Sequence, residues 1–214
     1  DRVRDAEEER LVGKIKESSS VLLAMVNNTI DVARLEAGRL SLQIDEVDLV
    51  DVIGAVFAVA DPLALQQGVA LSKSVDPAIP VMRTDGEALR KVVLNLVSNA
   101  LKFTEPGGSV AVAAQLDPAE NRVRLVVADT GCGIAPEDAV RIFEKFARAA
   151  PYEGCGGTPG SGLGLYLVKG LVERLGGEVS VASTVGEGSV FTAIVPLVVG
   201  EEGREDDGED SACR

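Results

Sequence analysis

Two asparagines four residues apart, Asn95 and Asn99, stand in an otherwise apolar stretch, and Lys102 follows three positions later. An amide carbonyl oxygen suits a hard cation such as Mg²⁺, which keeps waters and shares phosphate oxygens. Lys102 stands where it could meet a phosphate. In isolation such a pair more often satisfies backbone groups of a neighbouring loop. Asp129-Thr-Gly-Cys-Gly-Ile134 comes directly after an apolar run. Gly131 and Gly133 permit positive φ and close backbone approach to a ligand. Asp129 would emerge at a strand end, where a carboxylate accepts a hydrogen bond from an exocyclic amine such as adenine N6. Taken alone, D-x-G-x-G is most often a turn. Gly160-Ser-Gly-Leu-Gly-Leu165 opens a helix, and unpartnered N–H groups at a helix start, with the helix dipole, bind phosphate. Its spacing is not that of a dinucleotide fingerprint, and no Walker lysine follows. Phe143 and Phe146 flank Glu144-Lys145 shortly before it; core packing is the usual fate of such aromatics.

The elements that must position these residues alternate between helical and strand periods. Leu40–Ile44 reads as a short strand and Leu49–Gln67 as a helix with Val52, Val56 and Val59 on one face. Val69–Val75 is a strand ended by Asp76-Pro77. Asp85 caps a strongly periodic helix carrying Leu89, Val92, Val93, Leu96, Val97, Ala100 and Leu101. Strands Ser109–Leu116 and Arg122–Ala128 are joined by turn-forming residues. Pro136 starts a short helix through Phe143, and residues 147–161, rich in glycine and proline, read as a mobile loop. A helix from Gly162 to Leu175 stops at Gly176-Gly177, and strands Glu178–Ala182 and Ser189–Pro196 close the domain. Helices mixed with antiparallel pairs predict an α+β fold with helices over one face of a sheet.

The two ends differ from this middle. From Asp5 to Ala37 there is no proline and one glycine, and Leu11, Ile15, Ser18, Leu22, Met25, Thr29 and Val32 recur at steps of four and three. That is a heptad seam, widened by Val12, Val26 and Ile30, on a long helix that wants a hairpin or dimer partner. Ser18 and Thr29 weaken it. Residues 201–214 hold seven acidic and two basic residues, too little apolar surface to offset ordering, so a solvated acidic tail is expected. The predicted organisation is therefore 1–40, 41–198 and 199–214.

Over 214 residues the chain is 46% apolar and 26% charged, with a net charge of −13. Such acidity argues against general nucleic-acid binding. No run is expected to reach the roughly 20 apolar residues that span a bilayer, and DRVRDAEEER lacks the apolar stretch of a signal peptide. Cys132, Cys155 and Cys213 lack metal-ligand spacing, and a reduced, cytoplasmic protein with an inert Cys132 thiol is expected. Histidine is absent, which excludes histidine-dependent chemistry carried by this chain alone.

Each signal is weak singly, but Asn99, Asp129 and Gly160 fall at intervals of 30 and 31 residues with the phenylalanine pair between the last two. In that order RKVVLNLVSNALKFT resembles the N box of two-component sensor histidine kinases, DTGCGI the G1 box, IFEKFAR the F box and GSGLGLYLV the G2 box. GEGSVFTAIVP is similar to the family's closing strand, and ESSSVLLAMVNNTIDVARLEAGRLSLQ to the second helix of its dimerisation hairpin. The same superfamily includes gyrase-type, heat-shock chaperone and MutL-type ATPases.

The resemblance implies a two-layer α/β sandwich of Bergerat type, with a mixed sheet, helices on one face and a long N-terminal helix, binding Mg-ATP. It gives Asn95, Lys102 and Arg148 catalytic roles on the phosphate side, and makes Asn99 the Mg²⁺ ligand. Phe103 would flank the nucleotide, Asp129 read the adenine amine, and Gly131, Gly133 and Ile134 shape the pocket. Gly160, Gly162, Leu163, Gly164 and Leu165 would wrap the triphosphate, and Thr192 would make a water-mediated adenine contact. In the ATPases the position matching Asn95 resembles a glutamate that activates water; an amide is no base at neutral pH, so transfer to a protein acceptor fits better than hydrolysis. The implied partners are a histidine-bearing dimerisation helix (a homodimer in the full-length protein) and a response-regulator receiver domain, with no direct membrane contact by this chain even if its parent is anchored. With the acceptor histidine missing, a fragment of a longer kinase is favoured over a degenerate relative. A catalytically silent nucleotide-binding module is the alternative, and phosphorylation on serine, at Ser18 to Ser20, a weaker one. A net charge of −13 does not preclude an anionic ligand. Beyond a Debye length of about 8 Å its effect is screened, while Lys102, Arg148 and a helix start act at contact range.

Overall fold

In a computed structural model the described residues are 22–23, 25–147 and 161–199. The chain divides into two units, Asp1–Leu40 and Ser41–Arg214. In the first, helix α1 (residues 25–36) carries the seam residues Met25, Thr29 and Val32. Val32 is buried, Met25 and Ile30 are exposed, and Thr29 turns its hydroxyl onto the Met25 carbonyl. Leu11, Ile15 and Ser18 lie outside the described residues. The helix stops where the glycine predicts: Gly38 takes φ +70°, and the N–H groups of Gly38 and Arg39 return to Leu35 and Arg34, closing the orphan carbonyls.

The second unit runs β1 (Asp45–Val47), α2 (Leu49–Gln67), β2 (Ala70–Val75), β3 (Met82–Thr84), α3 (Gly86–Phe103), β4 (Ser109–Asp117), β5 (Arg122–Asp129), α4 (Pro136–Ala139), α5 (Gly164–Arg174), β6 (Glu178–Thr184) and β7 (Gly188–Pro196). Five strands form one mixed sheet in the order β2-β4-β5-β7-β6. Only the β2–β4 pair is parallel. Along β4, β5 and β7 alternate residues such as Val112, Leu125 and Ala193 are buried, which is the period of a half-covered strand. The buried stripe of α3, centred on Leu89, Val93 and Leu96, packs beside α2 and α5 over that face. Truncating Leu96, almost wholly buried, would cost about 2–5 kcal/mol through lost contacts and a cavity.

Several boundaries differ from the sequence reading. The first strand is Asp45–Val47 and not Leu40–Ile44, because only those residues find a partner, β3. β3 itself was not expected; three residues show no period. It exists through that pairing and through bonds from Arg83 N–H to the Leu197 carbonyl and from Val199 N–H to the Arg83 carbonyl. α4 closes at Ala139, and the chain continues to Phe146 as tighter turns, with Arg141 and Glu144 N–H groups each reaching three residues back. α5 starts at Gly164, because Gly162 holds φ +70°, which no α-helix admits. Helix α2 is, contrary to expectation, long and apolar enough to cross a bilayer by length and composition. It is a core helix here, with Ile53, Val56, Phe57 and Ala60 buried and α3 along its flank.

Candidate functional site

Helix α3 is fixed at its start by Asp85, whose carboxylate accepts from Ala88 N–H at 2.8 Å and Gln43 N–H at 2.9 Å. This buried cap satisfies donors that the first turn leaves open and sets which residues of α3 face α5. Half-buried Asn95 donates from Nδ2 to the Lys91 carbonyl at 2.8 Å, leaving its Oδ1 toward α5. A methyl placed on Gly164 would lie 3.0 Å from that oxygen, so the N-box amide and the first residue of α5 are neighbours. Asn99, one turn on, is half-buried, and its side-chain amide has no hydrogen bond among the described residues. Lys102 lies 5.1 Å from the centre of the Phe103 ring, and Phe103 is 40% exposed.

The loop after β5 packs directly on the end of α3. Cys132 N–H donates to the Phe103 carbonyl at 3.2 Å. A methyl on Gly131 would lie 2.4 Å from that same carbonyl oxygen, and one on Gly133 2.0 Å from the Thr184 carbonyl; side chains at either position would drive the loop off α3 and β6. Asp129 anchors the arrangement. Its Oδ1 accepts from Gly131 N–H at 2.9 Å and from Ser189 N–H at 3.2 Å, while no hydrogen bond to Oδ2 occurs among the described residues. Burial raises the carboxyl pKa above its ordinary value, and the two backbone donors pull it partly back. Cys132 is disulfide-bonded, which corrects the expectation of a free, inert thiol.

Apart from Thr192, the remaining expected site residues within the described segments fall on the loop after β5 and at the start of α5. Ile134 N–H donates to Ser183 Oγ at 2.8 Å, tying the loop to β6. Gly162 accepts from Phe146 N–H at 3.0 Å, and a methyl at Gly162 would crowd the Phe146 backbone to 2.8 Å. Leu163 is buried, its N–H capped by Ser161 Oγ at 3.3 Å, and Leu165 is half-buried on the first turn of α5. Of the phenylalanine pair, Phe143 packs edge-on against core Phe191 with centroids 6.4 Å apart. Phe146 is exposed at φ +62° and borders a cavity of about 260 Å³ with Asp138, Arg141, Ile142 and Ala147. Arg148 and Gly160 lie outside the described residues.

Thr192 is a correction. It pairs across from Val126 and Ser180, three residues beyond Ser189, so strand alternation turns it to the opposite face of the sheet. Ser189, not Thr192, stands opposite Asp129 in the register, is buried and donates to Asp129 through its backbone. Sequence reasoning missed it, although parity along GEGSVFTAIVP was a usable signal. Gly188 was missed as well: at φ +113° a methyl there would meet the Asp129 carbonyl at 2.0 Å.

Metal binding has a limited donor set. No group of three or more acidic, cysteine or histidine side chains that could hold an ion occurs among the described residues. The unengaged Asn99 carbonyl fits a cation held mainly by water and phosphate oxygens, the usual manner of Mg²⁺.

A mixed sheet covered on one face by helices, with an amide-bearing helix, an anchored strand-end carboxylate and a glycine-led helix, has the architecture of a Bergerat-type α/β sandwich. Residues 84–199 match the family described as histidine kinase-, DNA gyrase B- and HSP90-like ATPase, and the chain belongs to that family. It is 36% identical over 190 residues to an uncharacterized sensor-like histidine kinase of Rhizobium meliloti, across 86% of this chain and 35% of the relative. Identity is also 36% over 189 residues to the histidine protein kinase DivJ of Caulobacter vibrioides, across 86% and 30%. Among solved structures, full-length ShkA in complex with AMPPNP superposes with TM-score 0.76 at 34% identity, covering 92% of this chain and 40% of that one. The mycobacterial sensor histidine kinase MprB gives TM-score 0.60 at 30% identity, covering 72% and 97%. The chain spans about a third of the length of the two curated relatives.

Proposed function

We propose that this chain is the Mg-ATP-binding catalytic module of a sensor histidine kinase, transferring the γ-phosphate to a histidine on a helical hairpin supplied from outside its 214 residues. The observation that carries this reading is Asp129: a strand-end carboxylate held through Oδ1 by two backbone donors, with Oδ2 left to accept from a 6-amino group. Asn99 would hold the Mg²⁺ through its amide oxygen, and the bound ion would neutralise phosphate charge. Asn95, Lys102 and Arg148 are the residues proposed for the phosphate side, with the segment from Gly160 to Leu165 around the triphosphate and Phe103 beside the nucleotide. In the transfer an imidazole nitrogen bonds to the γ-phosphorus, the bond from that phosphorus to the bridging oxygen breaks, and ADP leaves with the electron pair. Asn95 cannot serve as a base toward water, which favours this acceptor over hydrolysis.

Residues 1–40 are read as part of the dimerisation hairpin, 41–198 as the catalytic domain and 199–214 as an acidic tail. The proposed partners are a histidine-bearing helix in a homodimer and a receiver domain, with the module on the cytoplasmic side. Incubation with γ-labelled ATP, Mg²⁺ and a histidine-bearing helical hairpin tests this. Acid-labile label on the hairpin is the expected result. Tight ATP binding without transfer would instead make the chain a nucleotide-binding scaffold, and acid-stable label a serine kinase.

A further inference from the structure

Ser183 lies on β6, at the outer side of the sheet, and its hydroxyl meets three groups. Ile134 N–H donates to it at 2.8 Å, the Gly188 carbonyl stands 2.8 Å away, and Ser189 Oγ lies at 3.0 Å. A serine hydroxyl has one proton and two lone pairs. Two acceptors therefore compete for one proton. Ser189 is 5% exposed, and Ser183 is its hydroxyl's one partner among the described residues. Were Ser183 to donate to Ser189, the buried Ser189 proton would have no acceptor and the Gly188 carbonyl would lose this donor. With Ser189 donating to Ser183, and Ser183 to Gly188, every group is satisfied, as buried polar groups must be. This count favours Ser189 as the donor to Ser183 and Ser183 as the donor to Gly188.

The consequence falls on the wall around Asp129. Ser189 is the cross-strand partner of Asp129, so their side chains share a face. With its proton turned toward Ser183, Ser189 offers only lone pairs there, and ionised Asp129 offers only lone pairs as well. We propose that Ser183 is a positioning residue that holds this wall acceptor-only, and thereby makes the site select 6-amino over 6-oxo purine nucleotides. The inference rests on the proposed reading of Asp129 and its surroundings as a nucleotide site. It adds a residue that touches no nucleotide and acts through Ser189 and, by its bond to Ile134, through the loop.

Titration calorimetry with ATP and with inosine triphosphate on the wild-type chain, Ser183→Ala and Ser183→Thr tests it. In the alanine variant the Ser189 hydroxyl is free to turn and donate to a 6-oxo group. The preference for ATP over the inosine nucleotide is then expected to shrink about tenfold, the worth of about one hydrogen bond. The threonine variant, which keeps a hydroxyl, retains the wild-type preference. Equal losses for both nucleotides, or an unchanged ratio, would overturn the proposal, since a purely structural role weakens both alike. Should the alanine variant not fold, hydrogen–deuterium isotope shifts on the wild-type protein decide. A shift at the Gly188 carbonyl carbon from the Ser183 hydroxyl supports the proton order; its absence overturns it. Failure of wild-type protein to bind ATP would defeat the nucleotide-site reading instead, so the two failures are distinguishable.

Discussion

Replacing Asp129 by asparagine separates what this residue does for the fold from what it does for the ligand. Both backbone donors, Gly131 N–H and Ser189 N–H, fall on Oδ1, and an amide carbonyl in the same rotamer keeps both. The change is confined to Oδ2, where an acceptor becomes an NH₂ donor at the position proposed to receive the 6-amino group of adenine. A charge-assisted hydrogen bond is lost, worth about 1.5–3 kcal/mol, so ATP should bind about 10- to 150-fold more weakly. Stability should hardly move, because the neutral side chain also escapes the burial penalty that raises the Asp129 pKa. That raised pKa fixes a sign. The carboxyl binds its proton more tightly folded than unfolded, so its contribution to stability is full below the unfolded pKa and is lost as pH rises through the folded one. Under the proposed assignment ATP binding needs the ionised form, so it should be lost in the opposite sense, as pH falls through the raised pKa, and this pH dependence should vanish in Asp129→Asn. Calorimetry with ATP beside thermal melts of both proteins across pH 4–8 measures all three. Unchanged ATP affinity in a folded Asp129→Asn protein would refute the assignment of Oδ2 to the purine.

Asn99→Ala should abolish the Mg²⁺ enhancement of ATP binding while leaving metal-free affinity near wild type, as titrations with Mg²⁺ and with chelator would show. Gly131→Ala should destabilise the fold by about 1–3 kcal/mol, because its methyl would overlap the Phe103 carbonyl; the melting temperature should fall several degrees and ATP affinity with it. Gly54→Ala, in mid-α2 with nothing within 4 Å of the added methyl, should stabilise by about 0.5–1 kcal/mol through helix propensity, separating a general glycine effect from the crowding at Gly131.

Long periodic segments were legible in the sequence because burial dictates their pattern. The bounds of α2, the Asp85 cap of α3 and the glycine stops at Gly38 and Gly176 all follow from local chemistry. Short elements were not: β1 and β3 exist through each other, and three residues carry no period. The start of α5 was misread because a left-handed Gly162 looks, as a letter, like any glycine before a helix. In the candidate site, the relation between Asp129 and its glycines was visible from spacing, since a short loop leaves few ways to turn. The serines were not. Ser183 and Ser189 act through β6–β7 register and a count of protons, neither of which a string of residues displays. Strand parity along β7 puts Ser189, and not Thr192, on the face of Asp129.

The central proposal is that the amides of α3, the Asp129 carboxylate and the start of α5 together bind adenosine triphosphate, with a divalent ion that Asn99 would hold. Calorimetric titration of the folded wild-type protein with ATP, once with Mg²⁺ and once with chelator, addresses it directly. Saturable one-to-one binding that weakens markedly when Mg²⁺ is withdrawn is the predicted result. No heat of binding in either condition, from protein whose melting transition is intact, would contradict it.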